Sequence, residues 1–98
     1  VVAVAKENYG KRPMAVGTGS DRRRAELMLT QANIRHLFVA VVCAEDVERH
    51  KPYPDTFMKC ADIMGIPYDK CEVFEDGAPG LQAATTAGMI ATDVKPYY

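Results

Sequence analysis

CEVFEDGAPGLQAA, Cys71 to Ala84, is an apolar run that stops at two adjacent carboxylates, Glu75 and Asp76, then turns through Gly77 into small residues behind Pro79. Cys71 to Phe74 reads as a buried strand. Pro79 opens a short helix ending at Gly88, since proline is tolerated in a helix's first turn, where its missing N–H has no partner to lose. Strand, tight turn and helix make the repeating unit of a parallel sheet. Side-by-side negative charges repel more strongly as water is excluded, so this strand end calls for a compensating cation.

The same unit recurs on either side. PMAVGT, Pro13 to Thr18, is a short strand, and Ser20 or Asp21 can cap a helix running to about Ala32. Ala25, Leu27, Met28, Leu29 and Ala32 lie on or near that helix's apolar side. FVAVVCA, Phe38 to Ala44, is apolar at every position, the pattern of a parallel strand covered on both faces. A polar loop, Glu45 to Tyr53, leads to a helix that Pro54 opens with Asp55 in its first turn. Phe57, Met58, Ala61, Ile63 and Met64 supply its stripe, and Gly65 with Pro67 stops it. MIATDV, Met89 to Val94, closes as a fourth strand. At the other end, VVAVAKENYG reads as the closing turns of a helix, Val1 to Asn8, with Gly10 as its cap and Pro13 beyond. The expectation is one α/β domain with helices on both faces of a parallel sheet, entered in mid-structure and so part of a longer protein.

The 98 residues carry 12 basic and 13 acidic side chains, a net charge of −1 that gives no reason to expect nucleic acid or an anionic membrane as partner. Arg22 to Arg24, the one basic cluster, has no aromatic residues interleaved and reads as a solvated helix face. Leu37 to Ala44, the longest apolar run, falls well short of the roughly 20 residues of a membrane-spanning helix. Cys43, Cys60 and Cys71 are odd in number and widely spaced, which excludes a disulfide framework or CxxC pair and predicts buried thiols in a reducing cytoplasm.

Ligand sites in open α/β sheets gather outside the carboxyl ends of the strands, and Thr18, Lys51, Glu75 and Asp76 fall there. Thr18-Gly19-Ser20 joins a strand to a helix, so a hydroxyl and successive N–H groups can hold a phosphate; the same residues also suit an ordinary turn and N-cap. Gly17 and Gly19 are not followed by a glycine at position 22, where Arg22 stands, and no Gly-Lys-Ser/Thr exists, so neither nucleotide fingerprint applies. Lys51 lies in HKPYPD, where Pro52 and Pro54 restrict the backbone and fit a positioned charge rather than a free surface lysine. His50 reads as a surface residue. Glu75 and Asp76 offer hard oxygen ligands of the kind Mg²⁺ prefers, or else form an acidic turn in which Asp76 caps the next helix.

GTGS (17–20), HKPYPDTF (50–57) and FEDGAPGLQAATTAGM (74–89) follow one another about one βα unit apart. Together they resemble the second, third and fourth motifs of the haloacid dehalogenase superfamily, in its branch of β-phosphoglucomutase-like and fructose-1-phosphate phosphatase-like enzymes. The resemblance implies a three-layer Rossmann-like core and phosphoryl transfer from a small sugar phosphate to an aspartate and then to water, or back to the sugar in the mutases. Thr18 and the Gly19 N–H would bind the phosphoryl group, Lys51 would neutralise it and the attacking carboxylate, and Glu75 and Asp76 would hold Mg²⁺.

The family's first motif, DxDxT, which supplies the aspartate nucleophile, has no counterpart among Asp21, Asp46, Asp55, Asp62 and Asp69, and the cap domain is also absent. The isolated chain is therefore expected to be inactive. In the family's strand order the missing strand is central, between the strands ending at Thr18 and Phe74. Their facing edges would stand open, or be closed by the missing N-terminal part, by another copy or by rearrangement. Two competitors remain. One is a noncatalytic Mg²⁺ and phosphate-binding module, which would need Glu45 and Asp46 in one pocket with Glu75 and Asp76. The other is a Rossmann-like nucleotide binder, which Arg22 disfavours.

Overall fold

The computed structural model describes residues 2–94. Helix α1 (Val2–Asn8) is followed by strand β1 (Ala15–Gly17), helix α2 (Arg22–Gln31) and strand β2 (Ala40–Val42). Helix α3 (Asp55–Met64), strand β3 (Glu72–Glu75), helix α4 (Ala78–Thr86) and strand β4 (Ile90–Asp93) complete the order, each within a few residues of its expected limits. Val1, expected in the first helix, lies outside the described residues. Gly10 and Gly65 adopt positive φ (81° and 71°) after α1 and α3, which only glycine does without strain.

Both strand pairs are parallel, with Ala15, Val16 and Gly17 set against Ala40, Val41 and Val42, and Glu72 to Glu75 against Ile90 to Asp93. Among the described residues they form two separate sheets, and no ladder joins β1 to β3. Met14 accepts from Val39 N–H, and Thr18 N–H donates to Val42. Every second residue of a parallel strand faces its partner, so Ala15 and Gly17 turn their backbone groups to the opposite edge. By the same alternation, the carbonyls of Cys71 and Glu75 accept from Ile90 and Val94, and Glu72 and Phe74 face away from β4.

Helices cover the first pair on both faces. Ala25 of α2 packs with Val41 and Cys43, flanked by Val16 and Leu29. On the opposite face, a Cβ added at Gly17 would stand 2.9 Å from Thr56 Cγ2 and 3.1 Å from the Phe57 ring of α3. Ala40 to Cys43 are all buried, as the uninterrupted apolar run predicts, whereas Val39 in the same run is 61% exposed. The largest core joins α3 (Phe57, Ala61) to α4 (Ala83, Ala84) with Cys71, Ala87 and Met89. Burial of an aromatic such as Phe57 contributes about 1.5–3 kcal/mol.

Several expected core positions lie outside it. Leu27 and Met28 are 55% and 59% exposed, because Ala25 and Leu29 alone line the inner side of α2. Ile63, placed in the apolar stripe of α3, is 53% exposed. Phe74, expected to be buried, is 37% exposed, because α4 covers the Val73 side of β3 and leaves the Glu72, Phe74 and Ile90 side open. The three cysteines are free and buried.

Candidate active site at the strand carboxyl ends

Lys51 comes from the loop after β2 and ends between the two strand pairs. Its Nζ donates to the Gly17 carbonyl at 3.3 Å and to Glu75 Oε2 at 3.0 Å, and stands 4.8 Å from the centre of the Phe57 ring. The ammonium joins the last residue of β1 to the last of β3, and its pair with Glu75 is mostly shielded from water. Lys51 is thus a cation for Glu75, the first of the two carboxylates. The Lys51–Pro52 peptide is cis, and His50 Nε2 lies 3.1 Å from the Ala44 carbonyl, which ties the loop back to β2.

Glu75 is held from both sides. Its Oε1 accepts the N–H groups of Asp76 at 3.0 Å and Gly77 at 3.3 Å, while Oε2 faces Lys51. The N-cap position of α4 is Gly77, and the two amides that lead into the helix are held by Glu75 Oε1. Asp76 projects at the exposed turn beyond it. Glu75 and Asp76 are adjacent hard oxygen donors at the end of β3. Among the described residues no group of three or more His, Cys, Asp or Glu could hold a metal ion. The donors therefore fit part of the shell of a small divalent cation, not a complete one.

The Thr18 loop sits at the end of β1. Thr18 Oγ1 accepts Ser20 N–H at 3.1 Å, leaving its own O–H to donate. Asp21, not Ser20, caps α2, accepting Arg24 N–H at 2.8 Å. Gly19 faces open space, with nothing within 4 Å of the position of a Cβ.

Arg22 to Arg24 are all exposed, as a solvated face predicts, but Arg22 is also bound to the rest of the fold. Its backbone N–H donates to both Glu45 oxygens at 3.0 Å, and its guanidinium donates to the Val41 carbonyl at 2.9 Å and pairs with Asp46. Asp46 also accepts Cys43 N–H at 2.8 Å. That amide, and then Arg22, hold the Asp46 carboxyl below its ordinary range. With Ala44 N–H donating to the Ser20 carbonyl at 2.9 Å, these contacts tie the Thr18 loop to the root of the Lys51 loop. Partners 19 to 24 residues apart give no signal in the sequence. Glu45 and Asp46 are drawn to Arg22, so they do not form one acidic pocket with Glu75 and Asp76.

A family model described as haloacid dehalogenase-like hydrolase matches residues 1–88. The chain is 53% identical over 95 residues to the fructose-1-phosphate phosphatase YqaB of Escherichia coli (strain K12), covering 97% of this chain and 50% of that protein. It is 32% identical over 79 residues to the beta-phosphoglucomutase of Bacillus subtilis (strain 168), covering 81% of this chain and 35% of that one. Among solved structures, that of a putative beta-phosphoglucomutase from Thermotoga maritima superposes with a TM-score of 0.84 at 27% identity, over 91% of this chain and 42% of that one. The chain thus spans about half the length or less of these relatives.

Proposed function

Because the chain belongs to the haloacid dehalogenase-like hydrolases, we propose that it is the C-terminal part of the core domain of a phosphatase acting on a small sugar phosphate. The observation that carries this reading is the meeting of Lys51, Glu75 and the Thr18 loop at one end of the two strand pairs. The relative named a fructose-1-phosphate phosphatase, at 53% identity, supports the substrate class.

Lys51 has three N–H donors, of which Gly17 and Glu75 engage two; the third is left for a phosphate oxygen. The Thr18 O–H and the Gly19 N–H donate to the other phosphoryl oxygens. Glu75 and Asp76 contribute to a Mg²⁺ site completed by donors from outside these residues. When bound, the ion neutralises charge on the transferring phosphoryl group. Transfer to an aspartate and then to water falls to a segment outside the 98 residues. What these residues contribute is positioning and charge. Three free, buried thiols support a reducing compartment, the cytoplasm.

A second reading returns the phosphoryl group to the sugar, as a mutase, and the similarity to a beta-phosphoglucomutase supports it. Both are tested by supplying an aryl phosphate and sugar monophosphates with Mg²⁺ to the 98-residue chain and to the full-length protein. The phosphatase reading expects release of inorganic phosphate by the longer protein alone. An isomerised sugar phosphate without phosphate release favours the mutase, and turnover by the 98-residue chain overturns the division of labour.

A further inference from the structure

We propose that Gly80 is a positioning residue for Glu75: its missing side chain makes the space in which the Glu75 carboxylate lies across the first turn of α4, facing Lys51. The catalytic consequence rests on the phosphatase reading; the packing relationship does not. A Cβ added at Gly80 would stand 2.2 Å from Glu75 Cδ and Oε2 and 2.3 Å from Cγ, closer than atoms can approach. Gly80 is buried within a helix and is not among the glycines with positive φ, so its backbone does not itself demand glycine. A helical glycine is unfavourable relative to alanine by about two- to fivefold in the folding equilibrium. What occupies the space is Glu75. Gly77, at the same turn, differs: a Cβ there would meet Pro79 at 3.8 Å and Glu75 at 3.9 Å, ordinary contacts.

The position so enforced is specific. From it, Oε1 reaches the amides of Asp76 and Gly77 while Oε2 reaches Lys51. A methyl group at residue 80 must push the carboxylate off the helix, breaking those bonds and moving it away from Lys51.

The test is a double-mutant cycle in the full-length protein: Gly80→Ala, Glu75→Ala and the pair, each compared with wild type by denaturant unfolding. With Glu75 present, Gly80→Ala should lower the folding equilibrium constant at least tenfold. In the Glu75→Ala background the same change should raise it about two- to fivefold, the ordinary helix preference. That reversal of sign is the signature. If Gly80→Ala alone does not fold, a double variant at least as stable as Glu75→Ala supports the proposal, and one that also fails to fold overturns it. Neutral or stabilising Gly80→Ala beside Glu75, or equal losses in both backgrounds, overturn it as well. In the folded Gly80→Ala protein, the Mg²⁺ concentration giving half-maximal turnover of an aryl phosphate should rise about tenfold. A wild-type protein without turnover would sink the phosphatase reading and leave the unfolding cycle standing.

Discussion

Lys51 Nζ and Glu75 Oε2 lie 3.0 Å apart, at the ends of chain segments that share no backbone ladder. Their side chains are 21% and 17% exposed, so each charge is partly desolvated and leans on the other. The lysine that the proposed chemistry requires is thus also a structural link between the strand pairs.

Lys51→Ala should act on both counts. Leaving Glu75 without its cation should lower stability by about 1–3 kcal/mol, and turnover by the full-length protein should fall by about 10³-fold or more. Circular dichroism and steady-state kinetics on the same sample separate the effects. Activity within tenfold of wild type would remove Lys51 from the site.

Gly17→Ala and Gly19→Ala should part company. The first places a methyl group against Thr56 and Phe57, both buried, and should cost about 1–3 kcal/mol. The second meets nothing and should change stability by less than about 0.5 kcal/mol. Thermal melts of the two proteins compare them directly, and equal losses would contradict the packing described.

Arg22→Ala should loosen the Thr18 loop. Because the Arg22 side chain is 45% exposed, the loss of stability should stay near about 0.5–1 kcal/mol. KM for the phosphate substrate should rise about three- to tenfold with kcat little changed, for roughly 0.7–1.4 kcal/mol of binding. A fall confined to kcat would point to direct chemistry instead.

Asp46 gives that network a pH signature. Its folded pKa is depressed, so its contribution is present above the unfolded value near 3.9 and fades as pH falls through the lower folded value. Unfolding curves between pH 5 and 2 should show a shallower acid loss in Arg22→Ala than in wild type, because part of the depression comes from Arg22.

Cys60 supplies the alkaline counterpart. Burial pushes its thiol up to about 12. A raised folded pKa means that stability is intact below the unfolded value near 8.5 and is lost as pH climbs toward about 12. Iodoacetamide at pH 8 should leave Cys60 unmodified in the folded protein and label it fully in denaturant. Rapid labelling of the folded form would contradict the burial.

The alternation of strands and helices was legible because each unit announces itself locally: the apolar run Phe38 to Ala44, Pro54 and Pro79 at helix starts, Gly65 at a stop. The meeting of Thr18, Lys51 and Glu75 at one end followed from parallel topology. Leu27, Met28, Ile63 and Phe74 were misjudged because hydrophobicity names what can be buried, while burial depends on which face a neighbouring element covers. Arg22 and Gly80 were illegible for another reason. Each acts on a side chain whose approach is known only after folding, Asp46 for one and Glu75 for the other.

The division of the sheet has a mechanical side. The strands are interrupted between β1 and β3, but α3 and α4 share one continuous core. Among the described residues, the links across that interruption include the helix seam and the bonds of Lys51 to Gly17 and Glu75, and no hydrogen-bonded ladder. A packed seam can slide by small steps where a ladder would have to break. In the 98-residue chain on its own, the backbone amides of Ala15, Gly17, Glu72 and Phe74, which border the interruption, should exchange with solvent faster than their neighbours that face β2 and β4. In that chain, the rigidity of the site at the strand ends rests on the layer of helices behind it and on Lys51 across it.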